Sequence, residues 1–243
     1  MENMLELRDV SFSSQNTAII HRVTLGIEAG KTTVFAGPSG CGKSTLLKLC
    51  AGLILPSAGE VLYRGKNISA MNRVQNLEFR RDSAFVFQDS ALWANQNLQQ
   101  ILELPLRIHF PAMTKEERQS RIDEVVKTVG YKRSLAIRPA SLSMGEQKLI
   151  AFGRSMLCRP KLLFLDEWTE SLDDYAAQRL ISLVKQQKLD NNTIVFVSHN
   201  MGVIRNLADY VVMLVGGYIY TRLTSEHLAD DRELAELLEK GLA

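Results

Sequence analysis

The sequence predicts an α/β fold built on a mostly parallel sheet. Three observations predict it. Short β-type runs alternate with helical runs along the chain. Three of those runs, Ala84–Phe87, Lys161–Leu165 and Thr193–Val197, stop at polar side chains: Gln88, Asp166-Glu167 and Ser198-His199. A glycine-rich turn, Gly37–Gly42, stands between a fourth run and a helix. Sheets of this kind collect ligands at the C-terminal edge of their strands.

The elements follow in order. Leu5–Phe12 and Thr24–Glu28 alternate in strand fashion and predict antiparallel strands beside the sheet, with Phe12 in the core. Thr32–Ala36 predicts a strand leading into Gly37, and Ser44–Ala51 a helix. The stretch from Asp89 to Pro160 reads as wholly helical, an insertion into the sheet domain whose earlier part is broken by Pro105 and Pro111. Within it, Thr114-Lys115-Glu116-Glu117 is a capping box. Ile122, Val125, Val126 and Val129 then keep helical spacing, and Gly130 supplies the stop. Ser143 and Glu146 form a second capping box, followed by the apolar face of Leu149, Ile150, Gly153, Met156 and Leu157. The tail from Ser225 to Ala243 is mostly charged, with Leu234 and Leu237-Leu238 on one face, and predicts a short surface helix.

Composition narrows the classes. A chain of 243 residues suits one large domain with an insertion. Hydrophobic residues make up 46% and charged residues 23%, as in globular proteins. A net charge of +2, with no basic cluster beyond pairs such as Arg80-Arg81, speaks against a nucleic-acid partner. Cys41, Cys50 and Cys158 lack metal-ligand spacing and predict reduced thiols in the cytosol. Acidic residues interrupt the N-terminus at once, unlike a secretion signal. The longest apolar stretch, Tyr210–Tyr220, contains Gly216-Gly217 and falls short of the roughly twenty residues a bilayer needs. No direct bilayer insertion is expected, so any membrane role comes through a partner.

Gly37-Pro38-Ser39-Gly40-Cys41-Gly42-Lys43-Ser44 fits the phosphate-binding P-loop pattern, with Thr45 next in the helix. Its glycines let backbone N–H groups turn toward phosphate, and the helix N-terminus adds positive dipole. Lys43 is placed to reach the β- and γ-phosphates, and Ser44 to ligate Mg²⁺. Asp166-Glu167 closes the apolar run Leu162–Leu165. Beside a P-loop it reads as a Walker B site, with Asp166 orienting Mg²⁺ and Glu167 polarising the attacking water. Successive strand residues point opposite ways, so the two carboxylates do different work only if the chain turns just after Asp166.

Leu142-Ser143-Met144-Gly145-Glu146-Gln147 resembles the signature sequence of ATP-binding-cassette (ABC) ATPases, usually Leu-Ser-Gly-Gly-Gln. It departs at Met144 and Glu146 and keeps Gly145. Gln88 resembles the Q-loop, a metal contact and hinge. Ser171-Leu172-Asp173 resembles the D-loop, with Trp168 where proline is usual, and His199 resembles the switch histidine that contacts the γ-phosphate. The resemblance covers essentially residues 1–225. It implies a P-loop NTPase of ABC type: a single domain with its core at about 1–88 and 160–225, a helical subdomain at about 89–159 and a short C-terminal helix over 226–243.

The resemblance further implies an ATPase using ATP and Mg²⁺. Two copies pair head to tail, each ATP lying between one P-loop and the other copy's Ser143, Gly145 and Glu146 region. Glu146 is expected to fold back onto the cap, since facing phosphate it would repel it. The other partners implied are integral membrane permease subunits, which would hold the chain on the inner face of the cell membrane. Other readings are an ATP-driven mechanical or assembly factor, and a nucleotide-binding module with little catalysis. Ala91–Asn95 and Glu103–His109 resemble the ATPases of phospholipid (Mla/Mce-type) transporters. The family's adenine-stacking aromatic falls at Ser14, which predicts weak base selectivity.

Overall fold

A computed structural model describes residues 2–224 and 227. The expected helix over the tail, Ser225 to Ala243, lies outside the described residues except for His227. Strands β1 (Asn3–Ser14), β2 (Thr17–Glu28) and β3 (Thr32–Ala36) lead into helix α1 (Lys43–Cys50). Strands β4 (Ala58–Tyr63) and β5 (Lys66–Asn67), helix α2 (Arg73–Asp82) and strand β6 (Ser83–Val86) follow. Helices α3 (Leu98–His109), α4 (Lys115–Val129) and α5 (Met144–Met156) come next. Strand β7 (Leu162–Asp166), helix α6 (Asp174–Leu189), strand β8 (Thr193–Val197), helix α7 (Met201–Leu207) and strands β9 (Tyr210–Val215) and β10 (Tyr218–Thr224) complete the order.

The main sheet has the order β10-β9-β3-β8-β7-β6. All of its pairings are parallel except β9 with β10. Its central strands β3, β7 and β8 are buried throughout and mostly apolar because both faces are covered. Period-two alternation divides them between two cores. Val34, Leu163, Leu165, Ile194 and Phe196 face the core shared with α3–α6. Phe35, Leu162, Phe164, Val195 and Val197 face α1 and the second sheet. That second sheet is antiparallel, of order β2-β1-β4-β5. Its first hairpin runs longer than the alternation predicts. Gln15 and Asn16 both take left-handed φ, 47° and 62°, the geometry of a tight two-residue turn. Phe12 packs partly buried against the second core, as expected.

Three corrections concern the helices. Pro105 does not break the insertion: it lies inside α3, whose Leu98, Ile101, Leu102 and Leu106 are all buried on one face. Burial of that stripe outweighs the one backbone donor proline removes. Pro111 does follow a helix end, past the C-cap Phe110. Asp89–Pro160 is not wholly helical either, because turns and loops occupy much of 89–97 and 130–143. Helix α2 is absent from the expectations because only Phe79 of it is buried and no apolar stripe marks it. Its one legible signal is the capping box of Asn72 and Gln75.

The register brings the chemistry to one edge. Asp166 of β7 pairs with Val197 of β8, while Phe35 of β3 pairs with the same Val197. The three strands are parallel, so Gly37, Glu167 and Ser198 all leave the sheet on the same side.

Candidate active site

The P-loop follows β3 directly. Gly37 has φ 139°, and a Cβ there would stand 2.1 Å from the Leu214 carbonyl oxygen, so no larger residue fits. Gly42 is the N-cap of α1 at φ 101° and brings no side-chain cap. The first backbone donors of α1 are therefore left for an outside acceptor, which suits an anion. Lys43 is buried, and its ammonium donates to the carbonyls of Gly37 and Pro38, each at 2.8 Å. An ammonium has three donors, so one remains for phosphate. Ser39 and Gly40 are exposed at the loop tip, Cys41 is buried, and Thr45 is half-buried. Burial pushes the Cys41 thiol up.

Ser44 donates its hydroxyl to Asp166 at 2.7 Å. Burial raises the Asp166 carboxyl above its usual range, and the Ser44 hydroxyl opposes that. Two hard oxygens in contact at the strand edge are a donor set that fits Mg²⁺. Among the described residues no group of three or more His, Cys, Asp or Glu could hold a metal. An ion here would take its remaining oxygens from nucleotide and water, as Mg²⁺ usually does.

The chain turns just after Asp166, as the two-job reading requires. Glu167 adopts φ 43°, and Glu170 N–H bonds back to the Glu167 carbonyl at 3.1 Å. Glu167 N–H is held by the Val197 carbonyl at 3.1 Å. The Glu167 carboxylate thereby leaves Ser44 to Asp166 and meets His199, whose Nε2 donates to Oε1 at 3.1 Å. Gln88 Nε2 donates to Glu167 at 3.0 Å and to Glu170 at 2.5 Å. Burial raises the Glu167 carboxyl, and the neighbouring Glu170 adds to the rise. A pocket lined by Glu167, Thr169, Glu170, Ser198, His199 and Asn200 opens beside this group.

Helix α5 begins at the Ser143 cap. Glu146 N–H bonds to Ser143 Oγ at 3.2 Å, and Ser143 N–H bonds to the Glu146 carboxylate at 2.9 Å. Arg133 also holds that carboxylate, at 2.9 Å. Glu146 thus folds back onto the cap, and the Ser143 N–H is the main cause of its lowered pKa. Gly145 sits against α6, where a Cβ would come 3.1 Å from that of Ala176. Ser143 and Met144 are exposed. Among the described residues, no hydrogen bond joins Ser143, Gly145 or Glu146 to the P-loop, Asp166 or His199.

The structure thus gathers Lys43, Ser44 and Asp166 into one group, and Gln88, Glu167 and His199 into another beside it. Gln88 shares contacts with Glu167, not with the Ser44–Asp166 pair. Two residues, Glu170 and Lys148, escaped the sequence reading, and for Trp168, noted there in the place of proline, the structure adds the packing. Glu170 is a second carboxylate on the Gln88 amide. Trp168 is 1% exposed and anchors the turn in the helix-side core by packing, where proline would fix it by backbone constraint. Lys148 is 3% exposed, and its ammonium donates to the carbonyls of Glu170 at 2.7 Å and Glu167 at 3.4 Å. Its one sequence signal is a lysine in the same helix as a run of buried residues, Ile150, Ala151 and Phe152.

A glycine-rich phosphate loop, a hydroxyl–carboxylate pair and a turned-out Glu167 define a P-loop nucleotide hydrolase on a parallel sheet. Comparison with known proteins gives the family. Residues 20–170 match the ABC transporter family. The chain is 33% identical over 233 residues to the nickel import ATP-binding protein NikE of Shigella flexneri serotype 5b, covering 94% of this chain and 87% of that one. NikE of Escherichia coli K12 matches with the same identity and coverage. The dimeric post-hydrolysis structure of the ATP-binding cassette MJ0796 bound to ADP and Pi superposes with a TM-score of 0.83 at 28% identity, over 91% of this chain and 99% of that one. Clostridium perfringens cbiO1, part of the ABC transporter complex cbiONQ, shares the fold at TM-score 0.81 and 24% identity, over 97% of this chain and 94% of that one. The chain belongs to the ABC transporter family, and it is an ATPase.

Proposed function

We propose that two copies of this chain close head to tail around two ATP molecules and drive membrane permease subunits. The observation that carries this reading is the start of α5. Its Ser143 cap and Met144 are exposed, Gly145 is half-buried behind them, and among the described residues no hydrogen bond ties this helix start to the chain's own P-loop, so the phosphate it serves comes from a second copy. MJ0796, a relative in fold and sequence, is itself dimeric.

In this reading the backbone donors of Gly37–Thr45 and the Lys43 ammonium hold the phosphates. Ser44 and Asp166 would hold Mg²⁺, which supplies neutralisation of phosphate charge. Glu167, oriented by His199 and Gln88, holds the attacking water and takes its proton as oxygen bonds to the γ-phosphorus. The bond to the β-phosphate oxygen breaks, leaving ADP and phosphate. The opposing start of α5 offsets charge spreading over the transferred group. Loss of the γ-phosphate contacts then loosens the pair, and helices α3–α5, hinged near Gln88, pass the motion on.

Among the described residues no helix is long and apolar enough to cross a membrane, which supports a membrane role exercised through separate subunits. Attachment to the inner face of the membrane follows from that partnership. The relatives named for nickel import support an importer. They lend no support to the phospholipid cargo suggested by Ala91–His109. Uptake of nickel against movement of labelled phospholipid, in vesicles holding the chain with its permease subunits, separates the two cargoes.

Glu167→Gln tests the cycle. It should hold ATP without cleaving it and accumulate as a dimer, read by light scattering. A monomer under saturating ATP with the permease subunits present would refute pairing.

A further inference from the structure

The turn that aims Glu167 is held from an unexpected place. Glu167 carries φ 43° and Ser171 φ 58°, both in the left-handed region that disfavours side chains. The four-residue turn between Glu167 and Glu170 leaves its last carbonyl, that of Glu170, outside the turn's own hydrogen bond. Lys148 supplies the missing donor. Its ammonium is buried and reaches Glu170 O at 2.7 Å and Glu167 O at 3.4 Å. Lys148 belongs to α5, four residues after Met144, the first of that helix. Burying an ammonium is costly unless it is paired and bonded, and here its two named acceptors are backbone oxygens of one turn. The neighbouring contacts show the same purpose. Trp168 is packed into the core from inside the turn, and Glu167 N–H is fixed on Val197.

We propose that Lys148 is a positioning residue for Glu167, a strut from α5 that holds the Glu167–Glu170 turn in the shape that carries the Glu167 carboxylate away from Asp166 and onto His199. Lys148 reaches neither the P-loop nor the Ser44–Asp166 pair through its hydrogen bonds. Its loss therefore spares nucleotide binding and impairs the chemical step. The strut also makes one rigid piece of two elements, the α5 start facing a second copy's ATP and the turn acting on the chain's own. This inference rests on the reading of Glu167 as the group that holds the attacking water.

The experiment compares ATP hydrolysis by the full chain with that of Lys148→Met, Lys148→Gln and Lys148→Arg. Misplacement of a reacting group by about 1 Å costs about a hundredfold in rate, so kcat of the Met and Gln variants should fall by about that factor. KM for ATP should stay within about threefold, since uniform binding is untouched. Lys148→Arg, which keeps a charged donor, should recover to within about tenfold of the parent. In a Glu167→Gln background, Lys148→Met should still pair on ATP.

A kcat within about threefold of the parent for Lys148→Met overturns the proposal. So do equal losses in kcat and ATP affinity, absence of rescue by arginine, or failure of the double variant to pair. If both neutral variants have lost the folded state, read by thermal melting, Lys148 serves stability and the proposal is also overturned. Should Glu167→Gln itself hydrolyse ATP at the parent rate, the reading of Glu167 fails first; with Glu167→Gln inactive, the Lys148 variants judge the strut alone.

Discussion

Replacing Glu146 tests whether a carboxylate in the signature turn opposes hydrolysis. A carboxylate about 4 Å from a phosphate, at an effective dielectric near 20, would cost about 4 kcal/mol per unit charge, roughly a thousandfold. In the structure Glu146 instead accepts from Ser143 N–H at 2.9 Å and pairs with Arg133 at 2.9 Å. Turned onto the cap and neutralised by Arg133 it should cost little: a unit charge about 10 Å away in water, taken as an illustration, costs about 0.4 kcal/mol, about twofold. Glu146→Gln should therefore change steady-state ATP hydrolysis by less than about threefold, measured by phosphate release across an ATP titration. Acceleration by more than tenfold would refute the folded-back geometry.

Stability should respond differently. Glu146→Ala loses one cap bond, worth about 1 kcal/mol, and a partly exposed ion pair worth about 0–1 kcal/mol. At about 2–4 °C per kcal/mol for a chain of this size, Tm should fall by about 2–8 °C. Glu146→Gln keeps an acceptor for Ser143 N–H and should lose less. The carboxyl of Glu146 is held below its ordinary value of 4.5. Its contribution is therefore full above that value and is lost as pH falls through the lower folded value. The Gln variant should lack that part of the acid dependence.

Two further outcomes are expected. Trp168→Ala should cost about 3–5 kcal/mol because a buried ring leaves a cavity. Trp168→Phe should cost much less, since the indole Nε1 has no partner to lose. Urea midpoints decide, and equal losses would mean the indole N–H is bonded. Ser14 is exposed at the end of β1, so no aromatic ring from that position stacks on the base. ATP and GTP should then be hydrolysed alike, since a stack would be worth about 1–3 kcal/mol. Rejection of GTP by more than tenfold would refute this.

Much of the fold and site was legible because it is written in local patterns. Short, mostly apolar runs ending at polar side chains or a glycine turn marked β3, β7 and β8 as strands of a covered sheet. The capping boxes at Thr114 and Ser143 fixed two helix starts through contacts only three residues apart. Patterns failed where packing decides. Pro105 reads as a breaker and is carried inside α3 by four buried neighbours. Helix α2 shows no apolar stripe because it buries one side chain.

By itself the sequence determined the phosphate loop, the paired carboxylates, the capped glycine turn and the parallel sheet that orders them. Each depends on residues close together in the chain or on a repeating period. Only the tertiary structure decided which groups meet. Ser44 finds Asp166 across 122 residues, and Gln88 finds Glu170 across 82. The left-handed turn at Glu167 separates its carboxylate from its neighbour's, and Lys148, buried, holds that turn. Spacing along the chain cannot specify such meetings, because they are fixed by strand register and by the burial of polar atoms that must find partners.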